Sequence, residues 1–169
     1  MMIKDYKYRY DKVGVFFNNH PTLLKMFYFL YKCLPMVIAL IYFILLVYTL
    51  LFIGFMAFIR ISAVPAVTFI SVSVIRKIIN SSRPYVLYDI SPLIKKDKQG
   101  ESFPSRHTVS AAIIAMSCLY INTGLGIIML VISVIMAAMR VIAGVHFAKD
   151  VIAALIIAIV CGIIGFFII

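Results

Sequence analysis

Residues 34–59 read LPMVIALIYFILLVYTLLFIGFMAFI, twenty-six positions without a charged side chain. At 1.5 Å per residue, a helix of that length exceeds the roughly 30 Å hydrocarbon core of a bilayer, so the stretch predicts a membrane crossing. Arg60, Ser62 and Pro65 then mark a short turn, and an apolar run from Val64 returns across the membrane, acquiring charge only at Arg76 and Lys77. Residues 108–139 are again uncharged, but Asn122-Thr123-Gly124 divides them into two helices joined by a tight turn, and 151–169 form one last apolar span. These runs predict an all-α integral membrane protein with five transmembrane helices in a bundle. Composition agrees, with 64% hydrophobic residues, 13% charged and a mean hydropathy of +1.12. A soluble domain commonly carries about a quarter of its residues charged, so a water-soluble enzyme is excluded. With 169 residues there is no room for a separate soluble catalytic module, and chemistry must be built at the ends of the membrane helices.

Upstream of the first span, Lys4, Lys7, Arg9 and Lys12 stand among Tyr6, Tyr8 and Tyr10, a basic and aromatic composition suited to the membrane interface. Asn18, Asn19, His20 and Pro21 interrupt the apolar run that follows before it reaches the length of a signal peptide. From Pro21, helical spacing gathers Leu23, Leu24, Phe27, Leu30, Tyr31 and Leu34 in one arc, with Lys25 and Lys32 opposite, which predicts an amphipathic helix lying on the membrane. The chain thus divides into an interfacial segment at 1–33 and a transmembrane domain at 34–169, with a sixth crossing if residues 13–33 also span. Sixteen Lys plus Arg against six Asp plus Glu give a net charge of +10. That balance suits an anionic lipid surface or a phosphorylated substrate. Nucleic acid is not an expected partner, because the basic residues are dispersed between apolar spans. Cys33, Cys118 and Cys161 lie far apart in apolar surroundings and read as core residues.

If the spans alternate in direction, the end of the second, the start of the third, the end of the fourth and the start of the fifth share one membrane face. Those places hold Arg76, Lys77 and Arg83; Ser105, Arg106 and His107; Arg140; and His146, Lys149 and Asp150. Ionisable groups at membrane depth are expensive and usually functional. Arginine forks with serine and backbone donors make a cradle for a tetrahedral oxyanion. Arg76 and Arg83 are seven residues apart and face one direction if the helix continues between them. Two histidines supply a nucleophile and a proton donor, and Asp150, four residues after His146, is placed to orient its imidazole across one helical turn. The set reads as phosphoryl transfer through a phosphohistidine. The shortage of carboxylates argues against a two-metal site, so no metal or other cofactor is expected. Lys95, Lys96 and Lys98, in the long polar loop from Asn80 to Arg106, read as a solvated face.

The same residues resemble the type 2 phosphatidic acid phosphatases, which share their active-site plan with vanadium haloperoxidases. The family pattern is a Lys, six residues and Arg-Pro; then Pro-Ser-Gly-His; then an Arg, five residues, His, three residues and Asp. Here it appears as Arg76-KIINSS-Arg83-Pro84, Pro104-Ser105-Arg106-His107 and Arg140-VIAGV-His146-FAK-Asp150. Arg76 stands where the family has Lys, with Lys77 one place out of step as an accessory candidate, Arg106 replaces Gly, and Met139 replaces the Ser that commonly precedes Arg140.

The resemblance implies a membrane lipid phosphatase in which His146 attacks phosphorus, Asp150 orients it and His107 protonates the departing oxygen. Arg76, Arg83, Ser105, the Arg106 backbone and Arg140 would hold the phosphate oxygens. Phosphatidylglycerophosphate, phosphatidic acid and undecaprenyl diphosphate are all compatible substrates. A second class stays open, a non-catalytic lipid-binding or lipid-moving relative that keeps the cradle. The basic N-terminal segment would place the site face in the cytoplasm by the positive-inside rule. The family more often works on the outer face of the cell membrane, and that face is the expectation here.

Overall fold

Where the first apolar helix ends is decided by Gly54, whose φ of 129° is a conformation that side-chain-bearing residues rarely adopt. In a computed structural model, which describes residues 2–168 with side chains from residue 6 to 168, the helix before Gly54 stops there and the next begins at Phe55. Met1 and Ile169, the ends of the two expected segments, and the Lys4 side chain lie outside the described residues. The helices are α1 (Met2–Asn19), α2 (Pro21–Tyr48, prolonged by a π-helical turn Thr49–Ile53), α3 (Phe55–Ile79), α4 (Pro84–Leu87), α5 (Arg106–Ile121), α6 (Thr123–Ile142) and α7 (Ala148–Ile163, prolonged by a π-helical turn Ile164–Ile168). Among the described residues there is no strand.

Four runs, Pro21–Ile53, Phe55–Leu87, Thr123–Ile142 and Ala148–Ile168, are long and apolar enough to cross a membrane, and α5 is a shorter apolar helix of 16 residues. Their outward faces reverse the pattern of a soluble protein: Met56 is 81% exposed and Phe52 75%. Such surface is tolerable only against hydrocarbon.

Two sequence expectations change. The turn foreseen at Arg60, Ser62 and Pro65 is absent, because all three lie inside α3. Ser62 Oγ donates to the Phe58 carbonyl at 2.7 Å, and the Arg60 guanidinium lies over the Tyr120 ring with its centre 5.8 Å away. A single arginine near a helix end is accommodated by such partners, whereas the backbone at Gly54 forces the break. Nor does the segment from Pro21 form a separate interfacial helix. It runs unbroken into the first crossing, with Pro35 inside α2. Proline sacrifices one backbone donor there, which the long apolar helix outweighs. At 33 residues from Pro21 to Ile53, the run is about 50 Å long, well over the roughly 30 Å of hydrocarbon, so part of it must project beyond the core.

The short α5 is the centre of the bundle and packs against α2, α3, α6 and α7. Val109 and every residue from Ala111 to Cys118 is buried. Close approach needs small residues: a side chain at Gly126 of α6 would collide with the Leu119 backbone, and one at Gly162 of α7 would come within 2.7 Å of the Met116 side chain. The expected turn between α5 and α6 is present, with the Asn122 side chain accepting from the Leu125 N–H at 2.9 Å as the N-cap of α6.

α1 lies across the end of the bundle that holds the polar residues. Tyr10, expected as an interface anchor beside Tyr6 and Tyr8, is buried there. Its hydroxyl donates to the Ile142 carbonyl at 3.1 Å and accepts from the Leu93 N–H at 3.0 Å. Burial pushes its phenol up to about 12, so the donor keeps its proton. Tyr6 stacks on Tyr88 at 4.5 Å and tilts against Phe147 at 5.7 Å, and Lys7 pairs with Asp89 at 3.3 Å.

Candidate active site

α3 ends one residue before Asn80, which takes the left-handed conformation with φ of 42°, so no helix links Arg76 to Arg83. Their common direction comes instead from the loop 99–104, which folds back over both. Arg83 accordingly sits in extended backbone just before α4. Nη1 of Arg76 donates to the carbonyls of Pro104 and, at 3.5 Å, Ser102, and its Nη2 donates to that of Glu101. Arg83 Nε donates to the Gly100 carbonyl at 3.1 Å and Nη1 to that of Val145 at 3.4 Å. Each guanidinium is thus oriented by carbonyls before any ligand arrives. Arg140, in the last turn of α6, donates to the Tyr31 hydroxyl and lies over that ring, 4.2 Å from its centre. All three arginines are buried.

His146 is not one helical turn from Asp150 in the sense expected, for it precedes α7, in the turn after Arg140. Asp150 occupies the third position of α7 and accepts from the Phe147 N–H at 3.0 Å, closing the helix start. That cap brings Asp150 Oδ2 to 3.6 Å from His146 Nδ1. Both residues are buried, Asp150 completely. A third group completes the arrangement: Ser102 Oγ donates to Asp150 Oδ2 at 2.5 Å and lies 3.3 Å from His146 Nδ1. Burial holds the His146 imidazole below the ordinary histidine range, with Arg83 and Arg76 adding to the effect and Asp150 opposing it. The neutral ring, the form that can act as a nucleophile, is therefore favoured.

The second motif opens α5. Ser105 is fully buried, its N–H donating to the Asp150 carbonyl at 3.0 Å and its Oγ accepting from Thr108 at 3.0 Å. Arg106 and His107 follow in the first helical turn, where backbone N–H groups lack helical acceptors and favour an anion. Arg106 lies 5.5 Å from the centre of the Phe69 ring.

Arg76, Arg83, Arg106, His107, Arg140 and His146 line a single cavity of about 220 Å³, with Tyr31, Lys96 and Lys98 also on its wall. Ser105 and Asp150 stand behind it. Lys77 is exposed on α3 and is not on the wall, so Arg76 is the residue of that pair at the cavity. Lys96 and Lys98 are exposed, in keeping with a solvated face, and they border the cavity as well. Lys98 is tied to Glu101 at 2.7 Å, which holds that carboxyl below its usual range. Sequence reasoning passed over Ser102 and Tyr31. Ser102 stands beside the Pro104-Ser105 pair, but hydroxyls in a polar loop carry no periodic signal. Tyr31 falls on the apolar arc of its helix, where an aromatic ring reads as packing.

Arg106 and His107 also border an apolar groove of about 360 Å³ whose other walls include Pro35, Ile38, Phe69, Ile114 and Met136. Among the described residues no group of three or more His, Cys, Asp or Glu is gathered to hold a metal ion.

Apolar helices thus enclose an arginine-lined pocket, with a histidine beside a buried carboxylate, at the end of a membrane-type bundle. The family model described as PAP2 superfamily matches residues 54–169, and the chain belongs to that superfamily of phosphatases. The crystal structure of LpxE from Aquifex aeolicus is similar to it with a TM-score of 0.68 and 26% identity, covering 86% of each chain. No curated protein sequence matches.

Proposed function

We propose that this chain is a metal-independent membrane lipid phosphatase acting through a phosphohistidine on His146. The observation that carries the reading is His146 itself: buried at the cavity wall, with Ser102 within hydrogen-bond distance of Nδ1 and Asp150 just beyond it, so that Nε2 is left for attack. Nε2 bonds to phosphorus as the bond to the lipid oxygen breaks, and His107 gives that oxygen its proton. Water then attacks the phosphohistidine, His107 takes a proton back, and inorganic phosphate leaves. Arg76, Arg83 and Arg140, with the N–H groups that open α5, hold the non-reacting oxygens and stabilise charge as it develops. Nε of Arg76 and of Arg140 are buried donors without a protein partner among the described residues, which suits an oxyanion ligand.

The substrate class is a lipid monophosphate or diphosphate, with phosphatidylglycerophosphate, phosphatidic acid and undecaprenyl diphosphate as candidates. The groove beside His107 supports this, because it begins where the leaving oxygen would sit. The chain crosses the membrane five times, with α1 and the site on one face. The contacts of Tyr6, Lys7 and Tyr10 with the site loops support that count, and the site face is outward.

The test is phosphate release by detergent-solubilised protein from each lipid, with and without EDTA, together with acid-quench trapping of protein-bound phosphate. Turnover that survives chelation, is inhibited by vanadate and leaves acid-labile phosphate on wild type but not on His146→Ala is expected. Binding of lipid phosphate without turnover would instead identify a non-catalytic relative, and abolition by EDTA with rescue by a divalent ion would overturn the phosphohistidine.

A further inference from the structure

A hydroxyl has one proton to give, and that of Ser102 is committed. Its Oγ donates to Asp150 Oδ2 at 2.5 Å, so towards His146 Nδ1, 3.3 Å away, it can only accept. Asp150 Oδ2 is farther from Nδ1, at 3.6 Å, beyond hydrogen-bond reach, and already receives the Phe147 N–H. The nearer acceptor for an Nδ1 proton is therefore the serine, and the carboxylate acts on the imidazole partly through it. Ser102 is fully buried, and its backbone N–H is bonded to the Ser81 carbonyl at 2.8 Å, which ties this loop to the segment between Arg76 and Arg83.

We infer that Ser102 is a positioning residue for the nucleophile: it fixes His146 in the tautomer protonated at Nδ1, in a chain running from Nδ1–H to Ser102 Oγ and from Ser102 O–H to Asp150 Oδ2. This rests on the proposed role of His146. The chain makes a chemical demand that carboxylate contact alone does not. With its hydroxyl in place, the serine presents a lone pair to Nδ1, which rejects the tautomer whose bare Nδ1 would face that lone pair. The other ring nitrogen, Nε2, is then always the bare one. Without the hydroxyl, the imidazole loses its nearer acceptor and its orientation is left to a carboxylate out of hydrogen-bond range.

The test pairs kinetics with a spectroscopic readout. Ser102→Ala should lower kcat by about tenfold to a hundredfold with KM nearly unchanged, because the cavity wall is untouched. In an Asp150→Asn background the same substitution should cost less than threefold, since the two groups act as one unit. Selective 15N labelling reports three histidines, His20, His107 and His146, which single substitutions assign. Wild-type His146 should be protonated at Nδ1 at mildly alkaline pH, and Ser102→Ala should shift it towards the Nε2-protonated form or a mixture. An unchanged tautomer in Ser102→Ala, or losses that add in full with Asp150→Asn, would overturn the inference. If the wild-type chain turns over no lipid phosphate, the proposed function fails, while the nitrogen spectra still decide the role of Ser102.

Discussion

His107 and His146 line the same cavity but should fail differently when the leaving group is changed. A nucleophile must attack whatever leaves, so His146→Ala should be inactive towards both a lipid alkyl phosphate and an activated aryl phosphate. A proton donor matters only where the departing oxygen is too basic to leave alone, so His107→Ala should lose at least tenfold less activity on the aryl ester than on the alkyl one. Rates for both esters, compared at matched folded fraction by size exclusion, check this. Equal losses for His107→Ala would make it a phosphate-binding group, and rescue of His146→Ala by the aryl ester would exchange the two roles. The three motif segments were legible in the sequence because their residues are rare in apolar runs, and the structure brings all but Lys77 and Lys149, both exposed, to one place. The reasons given for their proximity were legible only in part. Arg76 and Arg83 meet through carbonyls of a loop, and Asp150 meets His146 through a helix cap, neither of which follows from counting helical turns.

At the scale of elements, the turn between α6 and α7 carries His146, the proposed nucleophile, and is pinned from outside by α1. Gly144 within it has φ of 75°, and a Cβ there would lie 2.5 Å from the Tyr10 hydroxyl oxygen. Gly144→Ala should therefore cost about 1–2 kcal/mol of backbone strain, with a further cost for displacing Tyr10 and its two hydrogen bonds. We expect a lower Tm and a lower kcat together. Gly14 in α1 provides the contrast, because a Cβ there meets nothing within 4 Å. Gly14→Ala should gain about 0.5–1 kcal/mol in the helix and leave turnover unchanged. Thermal unfolding in detergent and initial rates separate the two, and a fully active Gly144→Ala would show that α1 does not constrain the turn. The helices themselves were legible from uncharged runs. Their ends were less so, because Arg60 looked like an interruption and Gly54 did not, although backbone conformation, and not charge, stops the helix there.

For the whole molecule, the five crossings proposed above would place α1, the loop 80–104 and the turn 143–147 on one side, with Gly54 and Asn122 on the other. In a background lacking Cys33, Cys118 and Cys161, single cysteines at Gln99 and at Thr123 should react with a membrane-impermeant thiol reagent from opposite sides, the first from outside intact cells. Labelling of position 99 only after permeabilisation would put the site in the cytoplasm, as the basic N-terminal segment alone would suggest. The helix at the heart of the bundle has a consequence of another kind. α5, with 16 residues, is about 24 Å long, several ångströms less than the roughly 30 Å that surrounds it, and the cavity opens at its first turn. If α5 is centred in the bilayer, the proposed site would meet a phosphate below the headgroup plane, at a depth set by the host bilayer as much as by the protein. A thicker membrane would bury the cavity mouth and a thinner one would bring it level with the headgroups, so turnover should respond, as through a rheostat, to the acyl-chain length of the surrounding lipids.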